Sequence, residues 1–478
     1  MSVDPGTTGG YCDWPMLFNS TRDTGSNHHH IQARCPVGAL DRFQEIIEKK
    51  LPDPLTFALA LTAFMAVLAL TLTATPPTAL LMKLGDSLSI LLTFTMQIGL
   101  TIILAYVLSQ TPLMQKGLKR IARLATTPTQ AYILVIVTAA TFYLISWPLG
   151  PITGALVARE IAREAVTRNN PVHFPLMAAG ALSGYAVWEM GYSSSIALAV
   201  ATEGNPTYEI IGRVIPIQET LLTHWNLLSI VSTLAVIIAT VLILHKQFNL
   251  KKPYIPTDLV TPLETSYESA ADAQPPQVRR RWSIITGLFL AAYVVGWFAQ
   301  QGLSLELNIV NWTFLAVGLL LVRSLPHYSA LFADGARVAA PTLLQYPLYA
   351  GIMGMAIQSG LAQQFTQGLV AIATQTTLPV IAFLSAGLIN IFIPSGGAQW
   401  ALQGPAFIEA AKLLDVDLGL IAMSVAYGDQ WTNLIQPFVA IPLLALTGLR
   451  LKHIFGLALV LCGATSLPLI AGLLIGNM

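Results

Sequence analysis

Nine stretches of this chain are long and apolar enough, or nearly so, to cross a bilayer, which takes about 20 residues each. They run over 54–76, 86–110, 173–203, 221–246, 282–302, 308–323, 339–360, 418–446 and 453–476. A water-soluble core has no room for so many. Only 10% of the residues are charged, 54% are hydrophobic and the mean hydropathy is +0.64, whereas soluble domains carry about 25% charged residues. Every backbone polar group in hydrocarbon must be satisfied within the protein, so the expected fold is an all-α polytopic membrane protein. Two further apolar regions, 128–167 and 377–413, are too long for one span, and Pro and Gly interrupt each near its middle.

Several function classes fall away. The net charge of +1 and the lack of a basic cluster interleaved with aromatics argue against a nucleic-acid partner. Cys12, Cys35 and Cys462 form neither a disulfide framework nor paired CxxC knuckles. His173, His224 and His327 lie near segment ends without metal-ligand spacing, so neither a metal centre nor an enzyme active site is expected. The polar N-terminal extension, residues 1–50, lacks a signal-peptide apolar run. Its end, 39–50, has the spacing of a short surface amphipathic helix.

Lys and Arg in short loops set orientation. Lys116, Lys119, Arg120 and Arg123 precede 128–167, and Arg159, Arg163 and Arg168 follow its turn. Both ends of that region are thus expected on the cytoplasmic side, as a re-entrant hairpin with its tip at Ser146–Pro151. The acidic loop 203–220 falls outside, and the linker 247–281, with Lys251, Lys252 and Arg279 to Arg281, falls inside. Region 377–413 is then a second hairpin, entered from outside. The N-terminus is expected in the cytoplasm and the C-terminus outside. The halves 51–246 and 282–478 therefore read as an inverted-topology repeat, the architecture of carriers that hold substrate near the midplane between broken helices.

Non-helical backbone at membrane depth must line a cavity or be buried in protein. At the second tip, Asn390 and Pro394 lead into Ser395, Gly396 and Gly397, which suit the start of a returning helix. At the first, Ser146, Pro148 and Gly150 do the same. Free N–H groups and a positive dipole end at each tip favour a small anion. Two further breaks surround Glu189 with Ser193 and Ser194, and Asp429 with Thr432, Asn433 and Gln436. Acids at such depth are expected to face the cavity. Asp429, Glu189, Thr432 and Gln436 are candidates for a coupling Na⁺ or H⁺. Trp188, Trp400 and Trp431, beside the breaks, are expected to line the cavity. Moving a monovalent anion inward against the membrane potential costs about 2.3 kcal/mol per 100 mV, so a cation is expected to travel with it.

These residues carry a resemblance. From Leu51 to near the C-terminus the chain resembles the short-chain fatty acid transporter family, the AtoE-like carriers. The match is strongest at Asn390-Ile-Phe-Ile-Pro-Ser-Gly-Gly397 with Trp400, at Gln403-Gly-Pro405, and at Ala426-Tyr-Gly-Asp-Gln-Trp431 through Phe438. The resemblance implies movement of acetoacetate, butyrate or similar monocarboxylates across a bacterial inner membrane. Distant kinship with elevator-type ion and dicarboxylate carriers implies a transport domain moving against a scaffold in a homodimer. The alternative within transport is a carrier of dicarboxylates or other small organic anions. One departure stands out: where the family reads like Trp-x-Gly-Gly-x-Ser-Gly-Ser, this chain has Trp188-Glu-Met-Gly-Tyr-Ser-Ser-Ser195.

Overall fold

The computed structural model describes residues 54–168, 172–202, 207–247, 276–302 and 307–478. The N-terminal extension, its expected surface helix and most of the 247–281 linker lie outside the described residues. Among the described residues the regular structure is helical. The first half contains α1 (Pro54–Leu72), α2 (Pro77–Ser87), α3 (Leu92–Ser109), α4 (Pro112–Ala122), α5 (Pro128–Ile145) and α6 (Leu149–Thr167). It continues with α7 (Phe174–Leu182), a 3₁₀ helix over Ser183–Met190, α8 (Ser195–Val200), α9 (Tyr208–Ile211) and α10 (His224–Gln247). The second half has α11 (Pro276–Gln301), α12 (Leu307–Leu321), α13 (Leu325–Gln358), α14 (Leu361–Val370), α15 (Leu378–Asn390) and α16 (Gly396–Leu414). It ends with α17 (Leu418–Thr432), a 3₁₀ turn over Asn433–Ile435, α18 (Pro437–Thr447) and α19 (Leu451–Gly476).

Proline starts these helices more than it bends them. Nine of the described helices, α1, α2, α4, α5, α7, α11, α13, α15 and α18, have proline in their first two positions, where the missing N–H would be unpaired anyway. Side-chain caps sharpen several of the starts. Thr127 and Gln130 form a capping box on α5, and Asp417 Oδ1 accepts from Leu420 N at 2.7 Å to open α17.

Five described helices are long and apolar enough to cross a membrane, within α1, α5, α10, α11 and α19. A sixth candidate is α3 with α4, a pair bent by 81°. The remaining apolar stretches are broken. The 173–203 stretch is α7, the 3₁₀ helix and α8, interrupted at 191–194, and 418–446 is α17 and α18, interrupted at 433–436. The two long regions are helix pairs, α5 with α6 and α15 with α16, parted at 146–148 and 391–395. Each pair packs on itself.

Two helices differ from the sequence expectation. The 339–360 stretch is the end of the 34-residue α13, whose polar first turns continue from a cap in which Ser324 Oγ accepts from His327 N. The expected span 86–110 is divided between α2, which ends at Ser87, and α3.

The centre is built where the two halves cross. In the second half α15 lies against α17 so closely that a Cβ on Gly428 would collide with Phe383 O and stand 2.6 Å from the Ala386 methyl. On its other side α17 meets the first half: Glu189 N donates to Gln430 Oε1 at 2.9 Å, and Tyr427 Oη to Asn226 Oδ1 at 2.7 Å. All four side chains are fully buried, so these bonds fix the register of one broken helix on the other.

Candidate functional site

A cavity of about 250 Å³ lies where all four breaks converge. Trp147 reaches it from the first hairpin tip, and Tyr185 and Trp188 from the 3₁₀ helix. Pro394, Ser395, Gly396 and Gly397 form its side at the second tip, Asp429 and Asn433 come from the second broken helix, and Met353 of α13 and Phe438 of α18 close the apolar side. No Lys, Arg or His is among the residues that line it. Drug-sized ligands occupy about 300–1,000 Å³, so this cavity suits something smaller.

The second tip presents a helix start. The first intrahelical bond of α16 runs from Gln399 N to Ser395 O at 2.8 Å, so the N–H groups of Gly396, Gly397 and Ala398 precede the ladder. The Ser395 hydroxyl does not cap them. A Cβ on Gly397 meets nothing within 4 Å, whereas one on Gly396 would collide with Ser195 Oγ and stand 2.7 Å from Glu189 Oε1. Gly396 is therefore required by close packing, and Gly397 opens on space.

The same cavity has an aromatic wall. Trp147, Tyr185 and Trp188 form a triangle with ring centroids 6.2 to 6.4 Å apart, edge-on between Trp188 and each of the other two. Tyr143 backs it at 4.5 Å from Tyr185. Tyr185 Oη and Trp188 Nε1 are buried without a hydrogen-bond partner.

The two acids have different surroundings. Glu189 is fully buried, and its carboxylate accepts from Ser194 Oγ at 2.5 Å, from Ser195 Oγ, and from Ile196 N at 3.3 Å. It thus closes the 191–194 break by capping α8 from within. Asp429 is also buried. Asn433 lies one helical turn beyond it and its Oδ1 accepts from Asn390 Nδ2, and neither carboxylate oxygen of Asp429 has a partner of hydrogen-bond geometry. Removing a carboxylate from water without pairing it costs several kcal/mol, so Asp429 is the feature of this cavity that most needs a ligand.

The other candidate residues divide by what they touch. Asn390 donates from Nδ2 to Asp429 O at 2.8 Å, Thr432 Oγ1 at 3.0 Å and Asn433 Oδ1 at 2.7 Å. Thr432 donates to Gly387 O at 2.8 Å, and Gln436 Nε2 to Asn390 O. Together they stitch the second break to α15. Ser193 Oγ bonds Tyr143 O at 2.8 Å, tying the first break to α5. Ser146, Pro148 and Gly150 are buried at the first tip and lie outside the cavity lining; Gly150 is packed against the Tyr143 ring.

Of the three expected tryptophans only Trp188 lines the cavity. Trp400 is fully buried over Gly404, because its position on α16 faces the core. Trp431 donates from Nε1 to Cys462 O at 2.8 Å and lies 4.8 Å from Phe383, an anchor between α17, α19 and α15. Trp147 takes the place expected for them. Its position inside the Ser146-Trp-Pro tip was the available signal. Among the described residues no cluster of three His, Cys, Asp or Glu side chains offers a metal site of that kind.

Apolar helices broken around a small, acid-bearing cavity define a multi-pass membrane protein of the transporter class. The comparison with known families is specific: residues 39–475 match the model described as short chain fatty acid transporter. The chain belongs to the short-chain fatty acid transporter family. Two relatives provisionally named short-chain fatty acid transporters are similar over nearly their whole length. The protein of Escherichia coli (strain K12) is 36% identical over 88% of this chain and 95% of its own. That of Haemophilus influenzae (strain ATCC 51907 / DSM 11121 / KW20 / Rd) is 32% identical over 88% of this chain and 95% of its own. Among solved structures, Neisseria gonorrhoeae MtrF, described within a class of antimetabolite efflux pumps, is 14% identical over 91% of this chain and 97% of its own, with a TM-score of 0.40. At that distance neither topology nor direction of transport carries over.

Proposed function

We propose that the protein is a secondary active carrier of short monocarboxylates, the size of butyrate or acetoacetate, across a bacterial inner membrane, with a cation moving alongside. The observation that carries this reading is the central cavity of about 250 Å³, lined together by an open helix start, an aromatic wall and an unpaired buried acid. The N–H groups of Gly396, Gly397 and Ala398 would hold the carboxylate, and Trp147, Tyr185 and Trp188 its short tail. A second carboxylate on the substrate would have no cationic side chain to meet, which favours monocarboxylates over dicarboxylates.

The same charge inventory supports cation coupling. Glu189 and Asp429 already place two acids around the cavity, and the lining supplies no basic group. An organic anion entering alone would be a further uncompensated charge in a poorly solvated space. Asp429, with both oxygens open, is the residue to hold the cation. Glu189, whose oxygens are engaged by two hydroxyls and an N–H, is assigned to holding the break.

The two packed helix pairs and two broken helices recur in the same order in each half, in keeping with inverted re-entrant hairpins of an elevator-type transport domain in a homodimer. In that arrangement the N-terminus is cytoplasmic and the C-terminus is outside. Purified protein in proteoliposomes should accumulate labelled butyrate when an inward Na⁺ or proton gradient is imposed. Absence of uptake with either gradient, for acids of two to six carbons, contradicts the proposal.

A further inference from the structure

The second break holds a group of oxygen atoms that hydrogen bonding has left open. Asn390 Oδ1, Gln436 Oε1 and both carboxylate oxygens of Asp429 are buried without a partner, on side chains that are 0%, 3% and 1% exposed. The two amide orientations are fixed by their neighbours. Asn390 Nδ2 points at Asp429 O, Thr432 Oγ1 and Asn433 Oδ1. Asp429 O is a carbonyl, and Thr432 Oγ1 spends its own proton on Gly387 O at 2.8 Å, so both can only accept. Gln436 Nε2 points at the Asn390 carbonyl. Turning either amide would bring oxygen against oxygen. The nitrogens are therefore committed to holding the break, and the oxygens are what remains.

The three residues are held next to one another by the same bonds: Asn390 Nδ2 donates to the Asp429 backbone carbonyl, and Gln436 Nε2 to the Asn390 backbone carbonyl. Asp429 lies in the last turn of α17, where the helix dipole is negative and the chain turns through the 3₁₀ residues Asn433–Ile435; Asn390 ends α15 and Gln436 precedes α18. Acceptors without donors at such an end suit a cation. A proton would satisfy one oxygen of Asp429 and leave both amide oxygens bare. A hard metal cation takes carboxylate and amide oxygens together. With one carboxylate in the set, a single positive charge balances it.

We propose that Asp429, Asn390 and Gln436 form a binding site for a monovalent hard cation of the sodium class. Thr432 is excluded as a principal ligand because its hydroxyl already bonds Gly387 O and Asn390, and Glu189 because Ser194, Ser195 and Ile196 occupy it. The role of the ion in driving transport rests on the carrier reading above. The site itself can be tested without any substrate.

The test is the thermal unfolding of the purified full-length protein in choline chloride, titrated separately with Na⁺, K⁺ and Li⁺. Na⁺ should raise the unfolding temperature saturably, in the absence of carboxylate, more than K⁺ does. Asp429→Asn should raise the half-saturating Na⁺ concentration by roughly a hundredfold or more, since it removes one partner of a buried charge pair. The ion series on the unaltered protein decides the matter even if that variant does not fold. Equal response to Na⁺ and K⁺, or no response to any of them, overturns the site. A Na⁺ response with no butyrate uptake would leave the site standing and refute the carrier reading instead.

Discussion

Gly396 and Gly397 are neighbours at one helix start, and the structure assigns them opposite responses to a single methyl group. A Cβ at 396 would collide with Ser195 Oγ and stand 2.7 Å from Glu189 Oε1. Relief requires Ser195 to leave the carboxylate or the α16 start to shift. Over-packing of this kind costs about 1–3 kcal/mol, and loss of a hydrogen bond to a charged group about 1.5–3 kcal/mol. The intrinsic gain from replacing glycine by alanine in a helix is at most about 1 kcal/mol. Gly396→Ala should therefore be destabilised by about 1–3 kcal/mol, with butyrate uptake falling alongside. At 397 the methyl enters open space, so Gly397→Ala should keep or gain up to about 1 kcal/mol while narrowing the mouth of the proposed carboxylate site. Thermal unfolding of the two variants in one detergent, with labelled butyrate uptake measured in parallel, separates these outcomes. Equal stability of the two variants, or unchanged uptake by Gly397→Ala, would refute the tip geometry as the basis of binding.

Other consequences are as direct. Asp429→Asn should abolish gradient-driven accumulation of butyrate while leaving butyrate-for-butyrate exchange measurable; undiminished accumulation at normal protein levels would make Asp429 structural. Trp147→Ala should enlarge the aromatic side of the cavity and shift preference toward longer acids. At about 0.8 kcal/mol per buried methylene, competition by hexanoate should strengthen relative to butyrate by up to about fifteenfold. Tyr427→Phe leaves the buried Asn226 Oδ1 without its donor, and should lower stability by about 1–3 kcal/mol with no change in which acids compete. Glu189→Gly removes the acceptor for Ser194 and Ser195 and should loosen the 191–194 break, read as a lower unfolding temperature.

The breaks were legible in the sequence because the chemistry that makes them is local. Pro394-Ser-Gly-Gly397 ends one helix and starts another whatever surrounds it, and the structure parts α15 from α16 at 391–395. The same holds for Ser146-Trp-Pro148. Which face a side chain takes was not legible. Trp400 and Trp188 both sit beside breaks, but only packing partners decide that Trp400 covers Gly404 while Trp188 faces the cavity. The 34-residue length of α13 was hidden by the polar run before 339, which reads as a loop until Ser324 caps it as a helix start. The difference between the two acids was hidden for a similar reason. Glu189 and Asp429 look alike in a hydropathy profile, and only the positions of Ser194 and Ser195 show that one is satisfied and the other is not.

The measurement closest to the central claim is uptake of labelled acids of two to six carbons by proteoliposomes, each under an imposed Na⁺ gradient, an imposed proton gradient, and neither. The structure predicts accumulation of the four-carbon monocarboxylates that follows the Na⁺ gradient and is not inhibited by succinate. Accumulation that follows the proton gradient in the absence of Na⁺ would contradict the coupling role given to the cation site, and the absence of accumulation throughout would contradict the carrier.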